Sequence, residues 1–78
     1  MSTVARACVL KALANGRVAT SATVAQRLRV SIPKVELWLG AAVYDGEVMQ
    51  VARRVGTINY ALFQLSATGR EKARGLGT

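Results

Sequence analysis

Apolar residues in the first half of this 78-residue chain recur with a helical period, and after Gly46 they recur every second residue. Ala5, Cys8, Val9, Ala12 and Leu13 stand at i, i+3, i+4, i+7 and i+8. That spacing predicts a first helix from about Thr3 to Ala14 with one apolar stripe. Asn15-Gly16 ends it, since both residues accept the left-handed conformation that closes a helix. Arg17-Val18-Ala19 is long enough only for a connector or one edge strand. Thr20 or Ser21 then opens a second helix, its hydroxyl capping the free amide of Thr23 or Val24. Val24, Ala25 and Leu28 face inward, and Arg29-Val30 forms a short turn.

Ser31 is placed to cap a third helix, with Pro33 in the first turn, where its missing amide hydrogen costs nothing. Val35, Trp38, Leu39 and Ala42 give this helix its core stripe, with Trp38 at the core edge, and Asp45-Gly46 stops it. The stretches Val48 to Arg53 and Ile58 to Leu65 alternate, with Arg54-Val55-Gly56-Thr57 between them as a short loop. This is the pattern of a β-hairpin. Ser66 then reads as the N-cap of a short last helix, Ala67 to Arg74.

Composition narrows what such a chain can be. Its length predicts a single domain over residues 1–78, and 51% apolar residues (thirteen of them Ala) suffice for one small core of closely packed helices. A mean hydropathy of +0.25 is not that of a disordered chain. No histidine is present, which excludes Ser/His and Cys/His catalysis and His-based zinc sites. Cys8 stands alone within an apolar pattern, so neither an intramolecular disulfide nor a thiolate metal cluster is expected. The four acids, Glu36, Asp45, Glu47 and Glu71, suggest no acid/base pair, and Gly75-Leu76-Gly77 is no phosphate loop. The expectation is therefore a non-enzyme without metal, cofactor or small-molecule substrate. The longest strongly apolar uncharged run, Leu37 to Tyr44, is far too short to span a membrane, and Arg6 and Lys11 interrupt any signal-like stretch. A cytoplasmic protein without membrane association is expected.

The element order defines an α+β, mainly α architecture. Three helices, a two-stranded β-hairpin wing and a short C-terminal helix make a winged helix-turn-helix. The run "VATSATVAQRLRVSIPKVELWLGAAVYDGEV" has a helix, a short turn, Ser31, Val35 seven residues before Ala42, and Gly46 four residues later. "YALFQLSATGREKA" has the form of a closing wing strand followed by the Leu-Ser/Thr-x-x-Gly-Arg start of a helix. Over about residues 8–74 the sequence resembles the winged helix-turn-helix superfamily, with MarR- and PadR-type regulators as the nearest pattern. The resemblance implies a DNA-binding transcriptional regulator acting as a dimer. Two positions depart from it: Arg29-Val30 replaces the usual glycine of the turn, and the residue before the wing is only Ala42.

Charge points the same way. Eleven Lys+Arg against four Asp+Glu give +7, the balance of a chain drawn to phosphate polymers. Both ends of the sequence are basic, whereas residues 31–50 carry Lys34 against Glu36, Asp45 and Glu47. In the expected fold, Arg27 and Arg29 lie on one side of the third helix, and Arg53, Arg54 and Thr57 lie on the wing. These groups are candidates to grip the phosphates of a duplex. Thr20 and Ser21 join them at a helix N-terminus, where free amides favour phosphate.

The outward arc of the third helix holds Pro33, Lys34, Leu37, Gly40, Ala41 and Tyr44, with Ser31 at its cap. Lys34 and Ser31 are its donors for base edges or phosphate. Arg, Asn and Gln, the usual bidentate base readers, are absent from it. Leu37, Ala41 and Tyr44 form an apolar strip suited to thymine methyls and sugar, or to another protein.

Three functions follow. The first is a double-stranded-DNA-binding regulator without a sensor domain, working as a homodimer. The second is a protein–protein module docking through the third helix. The third is an RNA-binding winged helix, for which no aromatic stacking platform is evident. For the homodimer, Val4, Leu10 and Leu76 are read as lying off the core stripe and supplying a contact surface at the termini.

Overall fold

Residues 3–14 and 18–76 are described by a computed structural model, in the order α1 (Thr3–Ala12), α2 (Ser21–Leu28), α3 (Ile32–Tyr44), β1 (Val48–Val55), β2 (Ile58–Leu65) and α4 (Ala67–Leu76). Every expected element is present. Helix α1 ends at Ala12, with Leu13 and Ala14 in a following turn; the expected stop at Asn15-Gly16 lies outside the described residues.

The core is the meeting of Val9, Leu10 and Leu13 with Val24 and Ala25 of α2, Val35, Leu39 and Ala42 of α3, and Val48, Phe63 and Leu65 at the base of the hairpin. Leu10 corrects the sequence reading. It is 1% exposed, so it belongs to the core and not to a surface at the termini. The buried arc of α1 is rotated toward Leu10, leaving Cys8 and Ala12 half-buried, because α4 packs on α1 as well and contributes Ala73 to the core. A leucine gains more from burial than a cysteine or alanine, so it takes the central place.

The hairpin is antiparallel, in register from Val48 opposite Leu65 to Val55 opposite Ile58. The expected four-residue loop is tighter: Arg54 and Val55 belong to β1, and Gly56-Thr57 alone make the turn. Two-residue turns suit the right-handed twist of paired strands. The connector before α2 contributes one bridge, in which Ala19 and Phe63 exchange backbone hydrogen bonds of 3.0 and 2.8 Å.

The start of α4 is fastened to the foot of β1. Ser66 Oγ accepts a bond from the Gly69 amide at 3.1 Å and donates to the Gly46 carbonyl, while the Ser66 amide donates to the Glu47 carbonyl at 3.0 Å. A Cβ at Gly69 would lie 1.8 Å from that same Glu47 oxygen. The Leu-Ser-x-x-Gly pattern is therefore a joint between the last helix and the hairpin.

Candidate nucleic-acid interface

Helix α3 buries Val35, Leu39 and Ala42 completely and presents its opposite face to solvent. Pro33, Lys34, Leu37, Gly40 and Tyr44 are exposed, with Ala41 half-buried beside them. Leu37 is 75% and Tyr44 92% exposed, values far above what a packed apolar side chain shows. A Cβ added at Gly40 would meet no atom within 4 Å, so the face is open there. Trp38 is half-buried against the core, and the Lys34 ammonium sits 5.8 Å from its ring centre. Ser31 occupies the N-cap position, but its hydroxyl makes no capping bond, contrary to the sequence reading. Pro33 lies at the start of this helix and has no amide hydrogen to satisfy.

The turn entering α3 explains how the chain manages without its usual glycine. Arg29 adopts the left-handed conformation, at φ 56° and ψ 44°. Its amide donates to the Gln26 carbonyl at 3.3 Å, and the Val30 amide donates to the Ala25 carbonyl at 3.1 Å. Val30 then packs against the core. These are the two crossed bonds and the apolar contact of a Schellman ending, in which glycine ordinarily fills the left-handed place. The Arg29 side chain is exposed.

On α2, Thr20 does cap the helix, its hydroxyl accepting from the Thr23 amide at 3.2 Å and lying 3.1 Å from the Thr23 hydroxyl. Ser21 is half-buried. Arg27 is exposed, but its Nη1 donates to the Ala12 carbonyl at 3.3 Å, which turns it toward the end of α1. On the wing, Arg53 stands opposite Tyr60 and Arg54 opposite Asn59. Successive strand residues point to opposite faces, so the two arginines do not form one patch. Arg54 Nε donates to the Gly56 carbonyl at 3.0 Å, beside the exposed Thr57.

Electrostatics separate these cations from three of the four acids; Glu36 stays exposed on α3, two residues from Lys34, with no ion pair among the described residues. Glu47 is 0% exposed, a role the sequence reading missed. Lys72 Nζ donates to its Oε2 at 2.5 Å. Arg6 Nε lies 3.2 Å from Oε1, near enough for attraction but off the line a hydrogen bond needs. Arg6 also pairs with Asp45, and Arg74 lies 3.9 Å from Glu71. Two of the three acids in the middle of the sequence, Asp45 and Glu47, are thus neutralised at the C-terminal end of α3. Among the described residues, no carboxylate pairs with Arg27, Arg29, Lys34, Arg53 or Arg54.

A second feature missed from sequence is the outward face of the hairpin. Val48, Phe63 and Leu65 turn one face of the ribbon to the core, so the other carries Met49, Val51, Val55, Ile58 and Tyr60, all exposed, with Arg53 among them opposite Tyr60. The alternation itself was the available signal. Asking which parity meets the core would have found it.

The comparisons with known proteins agree with this geometry. No protein-family model and no curated protein matches the chain. Among solved structures, it is similar to Bacillus subtilis PadR in complex with operator DNA, with a TM-score of 0.82 at 11% identity over 94% of this chain and 46% of that one. It is equally similar to a variant of Lactococcus lactis ZitR, with a TM-score of 0.82 at 18% identity over 99% and 54%. Another ZitR variant, in apo form, gives 0.79 at 18% over 96% and 55%. The chain spans about half the length of each. At these identities the likeness concerns the fold, and the fold is a winged helix-turn-helix. Among the described residues, no helix is long and apolar enough to cross a membrane, and no group of three or more His, Cys, Asp or Glu is placed to hold a metal.

Proposed function

We propose that this chain is a winged-helix transcriptional regulator that binds double-stranded DNA in the cytoplasm, with α3 in the major groove and the turn before it and the wing on flanking phosphates. The observation that carries the reading is the division of charge. Three of the four acids, Asp45, Glu47 and Glu71, are engaged by Arg6, Lys72 and Arg74, leaving Glu36 exposed on α3. Arg29, Lys34, Arg53 and Arg54 face solvent with no carboxylate paired to them among the described residues. A polyanion is the partner that such a surface suits. PadR, which shares the fold, is seen with operator DNA, and this supports the same assignment here.

In this reading Ser31, Leu37 and Ala41 meet the groove floor, and Thr57 approaches the backbone from the wing turn. Thr20 and Ser21 approach it at the start of α2, the Thr20 hydroxyl sharing that work with its cap. Arg27 contributes at the margin, because its guanidinium also serves the end of α1. Two copies act on paired half-sites, as symmetric DNA readers do.

Titration of labelled duplex DNA at several salt concentrations tests the reading. Three phosphate contacts by one protomer (Arg29, Lys34 and one wing arginine) correspond to a log–log slope near −3, each contributing about −0.9, and a dimer gives a steeper one. Absence of binding at low salt, or binding indifferent to salt, would overturn it in favour of protein docking through α3. Sedimentation of the complex reads the stoichiometry, and one protomer per site would remove the homodimer.

A further inference from the structure

We infer that α3 reads its duplex chiefly by apolar contact with thymine C5-methyl groups, so that the preferred substrate is a thymine-rich major groove. The inference rests on the DNA-binding reading above and adds what is recognised.

Three observations lead to it. The exposed arc of α3 contains no Arg, Asn or Gln, the side chains that hold guanine or adenine with two hydrogen bonds. It presents instead Leu37, among the most exposed large apolar side chains, with Ala41 one turn on and Tyr44 beyond. Gly40 leaves the surface open between them, so the helix can approach the groove floor closely. The thymine methyl is the apolar group on that floor, and no other base carries one there.

Charge is compatible with this occupant. Lys34 and the exposed Glu36 bring opposite charges to the start of the strip, and Asp45, just beyond Tyr44, is paired with Arg6. From Pro33 to Tyr44 the helix axis runs about 16 Å at 1.5 Å per residue. That is the length of about five base pairs at 3.4 Å each. A cluster of two or three thymines within one such window is therefore the site the strip fits.

Replacing thymine by uracil removes the methyl and leaves every hydrogen-bonding group of the base in place. The probes are alternating poly(dA-dT) and poly(dA-dU) duplexes of equal length, titrated with the wild-type protein and with Leu37→Ala. Leu37 is so exposed that its truncation should leave the fold intact, which circular dichroism checks. Each lost methyl contact is expected to weaken binding about fourfold. The wild type should therefore bind the uracil duplex at least tenfold more weakly, and Leu37→Ala should narrow that difference by about fourfold.

Equal wild-type affinity for both duplexes, with salt dependence retained, would overturn methyl reading and leave DNA binding standing. A thymine preference undiminished in Leu37→Ala would overturn its assignment to α3. Failure to bind either duplex at low salt would overturn the DNA-binding reading itself.

Discussion

Helices α2 and α3 end in the same way, yet the two endings are made of different residues. After α2, the Arg29 and Val30 amides close onto Gln26 and Ala25; after α3, the Gly46 and Glu47 amides close onto Val43 and Ala42 at 3.0 Å each. The left-handed position is Arg29 at φ 56° in the first and Gly46 at φ 77° in the second. A side chain in that conformation costs roughly 1–2 kcal/mol, and glycine avoids most of it. The second ending feeds straight into the joint built by Glu47, Ser66 and Gly69, and there the chain uses glycine. The first ending stands at the entrance to α3, and there the chain keeps an exposed arginine despite the strain. Local rules are most often broken where function requires it. On the proposed DNA-binding reading, an exposed positive charge at the entrance to α3 is what the strained Arg29 supplies and a glycine would not.

The largest expected effect is at the joint behind the second ending. Gly69→Ala should destabilise the fold by about 2–3 kcal/mol, because its Cβ would overlap the Glu47 carbonyl, a main-chain atom that cannot swing aside. Chemical denaturation measures this, and a neutral result would mean that α4 is not seated on the hairpin as described. Next comes Gly46→Arg, which makes the second ending resemble the first. It should cost about 1–2 kcal/mol by the same measurement, since nothing there repays the strain. The smallest change is the reverse exchange. Arg29→Gly should leave stability unchanged or raise it by up to about 1 kcal/mol, while DNA affinity falls and the salt slope flattens by about 0.9. Unaltered DNA binding in Arg29→Gly would remove the functional half of the comparison.

The turn before α3 also shows where sequence reading stops. Its location was legible, because Val24, Ala25, Leu28 and then Val35, Leu39 and Ala42 fix two helices and leave no room between them. The left-handed arginine was not legible, since the turn's glycine was missing from the sequence and only the backbone shows what took its place. The stripes of α2 and α3 were read correctly because period alone determines their buried faces. Leu10 was misread because α4 covers α1 from a side that period cannot reveal. Glu47 was invisible for a related reason. Its two partners, Arg6 and Lys72, come from opposite ends of the chain, and no spacing in the sequence announces a contact between them.

At the candidate interface, the composition of the α3 face followed from a helical wheel. Arg53 and Arg54 were both placed on the wing, and extending β1 to Val55 put them on a strand, where neighbours point apart. Arg27 was read as a candidate phosphate contact, and its guanidinium also donates to the Ala12 carbonyl at the end of α1. Long flexible side chains choose their partners after the backbone has formed, so their number is legible from sequence and their direction is not.

The outward face of the hairpin bears on how the protein must be handled. Met49, Val51, Val55, Ile58 and Tyr60 are held out in solution on a ribbon whose β1 edge is unpaired among the described residues. A net charge of +7 keeps two such molecules apart. Concentrated salt, the ordinary means of stripping nucleic acid from a basic protein during chromatography, shortens the reach of that repulsion to about 3 Å at 1 M. Those are the conditions under which the ribbons can meet, apolar face to apolar face or edge to edge. A polyanionic resin at moderate salt removes bound nucleic acid by competition while the molecules still repel one another.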